Sequence, residues 1–223
     1  MFSRSEALLG KKELNKIRNS HIVLCGCGGV GSYTFEALVR TGIKKITVID
    51  GDKVDISNLN RQIIATSNNI GQLKTEAAKI RAVSINPDIE IIEKQCFLTG
   101  ENIKDVLPED VDYIVDAIDF VPAKVGLALF AQNRSIPIIS CLGTGKRIDA
   151  TKFKICDIYE TSGCPLARKM RYELKKAGVK NLTVLFSDAK VIETDGIGSI
   201  AFVPSVAGLL IAQKVICDLG DIK

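Results

Sequence analysis

The sequence predicts an α/β fold, a mostly parallel sheet with helices on both faces. Three observations carry that prediction. Short, β-branched apolar runs alternate with longer segments of helical spacing. A glycine pattern, Gly26-x-Gly28-x-x-Gly31, falls between the first run and the first long helix. An acid, Asp50, closes the second run 19 residues beyond Gly31. A chain of 223 residues, 46% hydrophobic and 25% charged, has the apolar content for a packed core, which excludes global disorder. Its net charge of +4 permits a polyanionic partner without requiring one.

Residues 1–20 read as a helical arm with Ala7, Leu8, Leu9, Leu14 and Ile17 on its apolar face. Ile22–Cys25 is the first strand, and Tyr33–Thr41 a helix closed by Gly42. Between them lie Gly26, Gly28, Gly29 and Gly31. In such a turn one glycine permits the tight bend, one lets backbone approach a phosphate, and one lets helix pack on strand. The helix start adds unpaired N–H groups and the positive end of a dipole. These glycines are candidate nucleotide-binding residues; a glycine turn without a ligand is the alternative.

Lys45–Ile49 is the second strand, and Asp50 at its end suits ribose hydroxyls. Nicotinamide and flavin remain open at that point. The following stretch, Asp50–Gln62, is long and polar, and Gly71-Gln72-Leu73-Lys74 then opens a helix to about Ser84. Its apolar positions are Ala77, Ala78, Ile80, Ala82 and Val83. Arg61 and Lys74 matter jointly. A diphosphate on a glycine loop needs little added positive charge, whereas a triphosphate under attack needs much. Singly, each reads as a surface charge.

Ile89–Ile92 is the third strand. Tyr113–Val115 is the fourth and delivers Asp116 and Asp119 at its carboxyl end, where ligands of open parallel sheets gather. Asp116 reads equally well as a turn or helix cap. Ala123–Asn133 is a helix, Ile136–Ile139 a strand, Gly143–Gly145 a turn, and Lys152–Ile158 a further strand. The helix from about Pro165 to Ala177 carries Arg168, Lys169, Arg171, Lys175 and Lys176, with Lys180 beyond. Such a stripe suits a nucleic-acid backbone, with a solvated face as the alternative. Residues 181–196 read as an irregular segment over the site, and 197–202 as a strand. After Pro204 a helix follows, with Ala207, Leu210, Ile211 and Val215 on one face. This last stretch has the length of a membrane span, but Pro204 and Lys214 favour a core or dimer-interface helix, with membrane contact peripheral at most.

The seven cysteines are odd in number, form no C-x-x-C pair, and follow a polar N-terminus without a secretory signal. Free thiols in a reducing, cytoplasmic compartment are expected, and no structural zinc. Cys141 and Cys164 flank glycine-containing turns; a structural role is preferred to a nucleophilic one. His21, the single histidine, stands before the first strand and reads as structural.

Taken together, Gly26-x-Gly28-x-x-Gly31, Asp50-x-Asp52, Ser57-Asn58-Leu59-Asn60-Arg61-Gln62, Gly71-Gln72-Leu73-Lys74 and Asp116-Ala117-Ile118-Asp119 resemble, in order, the motifs of the ThiF/MoeB/HesA adenylating superfamily, relatives of ubiquitin-activating enzymes. The resemblance covers nearly the whole chain. It implies one Rossmann-like adenylation domain over residues 1–223, with 1–20 as an arm and about 145–223 as its C-terminal part. It also implies ATP and Mg²⁺ as cofactors and a homodimer. Asp50, grouped with Asp52, would hold the ribose. Asn58, Arg61 and Lys74 would surround the phosphates, Asp119 would take magnesium, and Arg4 would reach in from the partner subunit.

The second half resembles the tRNA threonylcarbamoyladenosine dehydratases. The matching stretches are Asp116-Ala117-Ile118-Asp119, the basic helix beginning Cys164-Pro165-Leu166-Ala167-Arg168, and Gly198 to Leu209. Cys164 departs from the pattern, standing where aspartate is expected. The implied reaction is ATP-dependent cyclisation of the threonylcarbamoyl group on tRNA through an acyl-adenylate. Arg168, Arg171, Lys175 and Lys176 would contact the tRNA, and sulfur-relay proteins are further candidate partners. The main alternative is adenylation of the Gly-Gly tail of a ubiquitin-like sulfur carrier, but such enzymes commonly carry two zinc-binding C-x-x-C pairs. A non-catalytic nucleotide-binding scaffold comes next, and a dehydrogenase last.

Overall fold

The computed structural model describes residues 1–196 and 198–222. Helices α1 (Ser3–Leu9) and α2 (Lys11–Arg18) lead into β1 (His21–Cys25), α3 (Gly29–Thr41) and β2 (Lys45–Ile49). A long loop reaches α4 (Lys74–Ile85), then β3 (Glu90–Lys94), α5 (Ile103–Val106), β4 (Tyr113–Asp116), α6 (Val121–Arg134) and β5 (Ile138–Cys141). The chain ends with β6 (Phe153–Asp157), α7 (Pro165–Lys176), β7 (Thr183–Ser187) and α8 (Phe202–Gly220).

All seven strands join one sheet in the order β3-β2-β1-β4-β5-β7-β6. Every pairing is parallel except β6 against β7. The strands in the middle are buried on both faces, which explains why β1 reads as an unbroken apolar run. Residues Ile22, Leu24, Ile46 and Val48 face a core built with α3, α4 and α8; Val23, Cys25, Ile49 and Ile114 face one built with α5 and α6. A third cluster packs α7 on β7 through Ala167, Met170, Leu174, Val184 and Phe186.

From β1 the chain moves outward through β2 to β3, then returns to place β4 on the other side of β1. In register, Cys25 lies beside both Ile49 and Asp116. The carboxyl ends of these three strands are therefore level, and the reversal of direction opens a crevice there.

Several expectations are corrected. The third and fifth strands begin one and two residues later than read. Thr183–Ser187, read as irregular, is β7, hydrogen-bonded between β5 and β6. The strand expected over 197–202 is absent among the described residues 198–201, which join no strand and lead into α8; Ile197 lies outside the described residues. Ile80 and Val83 face solvent, leaving Ala77, Ala78 and Ala82 to pack α4 on the sheet. In the arm, Leu14 and Ile17 are buried, whereas Ala7 and Leu8 are exposed. Helix α8 is long and apolar enough to cross a membrane by length and composition. Here it crosses α3 closely instead: Thr34 Oγ1 donates to the Gly208 carbonyl at 3.0 Å, and a Cβ on Gly208 would lie 2.4 Å from the Val30 carbonyl.

Candidate active site

The crevice holds a cavity of about 400 Å³, a size suited to a small ligand. Its floor is the glycine turn. Gly26 has φ +87°, and a Cβ there would sit 2.8 Å from the Ala117 carbonyl oxygen. Gly31 is tighter: its Cβ would fall 1.9 Å from the Gly26 carbonyl oxygen, so no larger residue fits. Gly31 does not line the cavity and serves helix-to-turn packing. At Gly28 a Cβ would meet no protein atom, leaving open space above the backbone for a ligand. Helix α3 starts at Gly29, four residues earlier than expected, with Gly28 as N-cap and no side chain capping it. Its first amides are thus left for an anion.

Asp50 stands beside this turn. Its carboxylate accepts from the Cys27 amide at 2.7 Å and the Asp52 amide at 2.8 Å, which fixes the side chain at the cavity wall. The loop after β2 then folds back on itself. Val54 and Gln72 pair through backbone, and the Lys74 amide donates to the Asp52 carbonyl at 3.0 Å. This brings Lys74, at the first position of α4, to Asp52: Nζ lies 2.8 Å from Oδ2. Lys74 is 6% exposed, while Asp52 is solvent-facing. Within the loop, Asp55 caps a short 3-10 turn, Ile56–Asn58, and accepts from the Ser57 amide. Asn58 Oδ1 accepts from the Asp55 amide, leaving Nδ2 with only a 3.5 Å contact to Ser57 Oγ. The Arg61 guanidinium is steadied by Ser57 O at 2.7 Å and Asn60 Oδ1 at 3.0 Å.

Gly26, Gly28, Gly29, Asp50, Asp52, Asn58, Arg61, Lys74 and Asp119 all line this one cavity. Asp119 is exposed and makes no ion pair among the described residues. Asp116 caps the turn after β4, its Oδ1 accepting from the Ile118 amide, and does not line the cavity. It is fully buried, pairs with Lys124 at 2.9 Å and accepts from Ser140 Oγ at 2.6 Å.

Arg4 does not join the site within its own chain. Phe2 packs on Gly42 at the far end of α3, so α1 lies at the end of α3 opposite the cavity. The basic stripe forms on α7, with Arg168, Lys169, Lys175 and Lys176 exposed. Arg171 is an exception: its guanidinium is committed to the Thr161 carbonyl and hydroxyl. The cysteines are all free. Burial pushes the Cys141 thiol up to about 12, and Cys25 and Cys27 are likewise raised by burial, so these buried groups stay protonated. His21, at the amino end of β1, bonds Asp110 O and Thr47 Oγ1, a structural role.

Several lining residues escaped the sequence reading. Phe97 and Phe120 stand at the rim, with the Phe97 ring covering Gly51. Both come shortly after parallel strands, which is the signal that would have found them. Gln62, 95% buried, also faces the cavity, with Thr144, Ser199 and Pro204 contributed by the second half of the chain.

The geometry agrees with comparison to known proteins. The ThiF family profile matches residues 2–221. The tRNA threonylcarbamoyladenosine dehydratase of Bacillus subtilis (strain 168) is 39% identical, over 98% of this chain and 94% of its own. A crystal structure of the Escherichia coli tRNA N6-threonylcarbamoyladenosine dehydratase in complex with ATP aligns with a TM-score of 0.93 at 33% identity, over 98% of this chain and 93% of that one. The same enzyme with AMP aligns over the same shares at 33% identity, with a TM-score of 0.92. The chain belongs to the ThiF family, and within it to the tRNA threonylcarbamoyladenosine dehydratases.

Proposed function

We propose that this protein cyclises the threonylcarbamoyl group of modified adenosine in tRNA, with loss of water, using ATP to activate the carboxylate. The observation that carries the reading is the convergence, in one cavity, of a glycine turn, the uncapped start of α3, and the cations Arg61 and Lys74. The threonyl carboxylate oxygen bonds to the α-phosphorus of ATP and pyrophosphate leaves. A nucleophile within the same threonylcarbamoyl group then attacks the activated carbonyl, and AMP departs with the oxygen that would otherwise be lost as water. Adenylation supplies the leaving group, and holding the reactants together supplies most of the rest.

The site residues take distinct roles in this reading. Asp50 holds the ribose, with Asp52 beside it. The backbone at Gly26, Gly28 and Gly29 and the amides opening α3 take phosphate oxygens. Arg61 and Lys74 neutralise charge as it shifts between the phosphates, and the Asn58 amide donates to a phosphate oxygen. Asp119 is one unpaired carboxylate at the cavity, which suits Mg²⁺ held by a carboxylate, water and phosphates; no group of three or more acidic, cysteine or histidine ligands exists among the described residues. Magnesium would add positive charge against the phosphates. Helix α7, with Arg168, Lys169, Lys175 and Lys176 exposed beside Tyr172, is a fitting surface for the tRNA backbone. A homodimer is supported by the apolar residues Ile200, Phe202 and Leu209, left in solvent around the start of α8.

The test is to incubate the protein with ATP, magnesium and tRNA carrying threonylcarbamoyladenosine, then weigh the nucleosides. A loss of one water from the modified nucleoside, matched by AMP and pyrophosphate, is expected. AMP formation that depends instead on a Gly-Gly-tailed carrier, with the nucleoside mass unchanged, would overturn the reading.

A further inference from the structure

We propose that Lys124 is a positioning residue of the adenylation site: a fully buried cation that fixes the loop carrying Asp119. The inference rests on the adenylation reading above. Lys124 lies in the first turn of α6 and has no exposed side-chain surface, and neither has its partner Asp116. Its place is costly on two counts, and packing does not require it. Burial strips the ammonium of water. The first turn of a helix carries the positive end of the dipole, which disfavours a cation. And an apolar side chain of similar length would serve packing alone at least as well, since buried ion pairs are often no more stabilising than hydrophobic replacements.

What Lys124 binds explains what the cation does. Its three N–H donors are matched by three acceptors: Asp116 Oδ2 at 2.9 Å, the Ile118 carbonyl at 3.0 Å and the Cys141 carbonyl at 2.8 Å. Asp116 ends β4, Ile118 lies in the turn after it, and Cys141 ends β5. Asp116 meanwhile receives the Ile118 amide and the Ser140 hydroxyl. Residue 118 is thus clamped on both sides, its N–H by Asp116 and its C=O by Lys124. Ala117, Ile118, Asp119 and Phe120 all line the cavity, and Thr144, three residues past Cys141, lines it too. The Ala117 carbonyl also backs directly on Gly26. One ammonium therefore ties the Asp119 loop, which itself backs on the glycine turn, to the end of β5. Lys124 touches no substrate; it sets where Asp119 stands relative to Arg61 and Lys74.

A displacement of about 1 Å at a reacting centre can lower turnover on the order of 100-fold with little effect on binding. The decisive variant is the charge-neutral pair Lys124→Met with Asp116→Asn, which leaves no uncompensated charge in the core. It is expected to fold, to bind ATP within roughly threefold of wild type, and to lose about 100-fold in kcat for AMP release with modified tRNA. Lys124→Arg, which keeps the charge and donors, should recover to within roughly tenfold of wild type. A folded neutral pair that turns over as wild type does would overturn the proposal. Should the pair fail to fold, Ser140→Ala removes only one bond to Asp116. It is expected to lower kcat roughly three- to tenfold with ATP affinity unchanged, and an unchanged kcat counts against the proposal. Wild type run in parallel separates the two readings. If it releases no AMP with any carboxylate acceptor, the adenylation reading fails and this inference with it. If it turns over and the variants match it, this inference alone fails.

Discussion

Lys74 shows how a single side chain is prepared for charge in flight. It is nearly buried at the start of α4, and its ammonium is held by a carboxylate, Asp52, that faces solvent. A bound triphosphate would offer that ammonium a second anionic partner. Replacing Lys74 by Ala should therefore cost about 100- to 1,000-fold in kcat, the scale of losing one electrostatic donor to a transition state, while ATP affinity falls less than roughly tenfold. Calorimetric ATP binding beside steady-state turnover checks this; equal losses in both would reduce Lys74 to a ground-state contact. Cysteine chemistry is weighed at the same scale. A thiol held near 12 by burial, as at Cys141, carries almost no thiolate at neutral pH. An intramolecular cyclisation needs none.

Among elements, the pairing of α3 with α4 rests on Glu36. It is 93% buried, yet it accepts from Arg81 Nε and Nη2 and from Arg40 Nε at 2.7 to 2.9 Å. Burial works to raise the Glu36 carboxyl, but the bonds from Arg81 and Arg40 outweigh it and hold the group below its ordinary value of 4.5. The sign follows: the carboxylate contributes its stability above that ordinary value, and the contribution is lost as pH falls through the lower folded value. Glu36→Gln should lower the unfolding free energy by about 1–3 kcal/mol at pH 7, part of it from the two guanidiniums left without their partner. Urea denaturation at pH 7 and again below pH 4 should show that gap shrinking; a gap independent of pH would contradict the account. Elements also show where sequence reading stops. The spacing of β1, α3, β2 and α6 was legible because each is either wholly buried or cleanly one-sided. β7 was not. Its run Thr183–Phe186 sits in a stretch of polar neighbours, and only its two hydrogen-bonding partners, distant in sequence, make it a strand.

For the whole molecule, the position of Arg4 is the informative case. Its helix lies by the end of α3 away from the cavity, so Arg4 reaches a phosphate only if a second subunit brings its arm to this one. In a two-fold dimer mixing Arg4→Ala with Asp119→Ala subunits, one site keeps both groups if Arg4 acts in trans. About half of wild-type activity per dimer is then expected. Purified heterodimers without activity would rule out action in trans, and an Arg4→Ala homodimer as active as wild type would place Arg4 outside catalysis.

The sequence by itself determined the local parts: the glycine turn, the acid closing β2, the order of the polar motifs, and the basic face of α7. Those follow from short-range sterics, helical spacing and turn chemistry, which neighbouring residues settle among themselves. Only the tertiary structure decided that Phe97, Phe120, Gln62 and Thr144 share the cavity with that turn, that Arg171 is spent on Thr161, and that Lys124 and Asp116 form a buried clamp. Each of these depends on which strands lie side by side. Strand order is set by packing between residues far apart in the chain, and no local pattern encodes it.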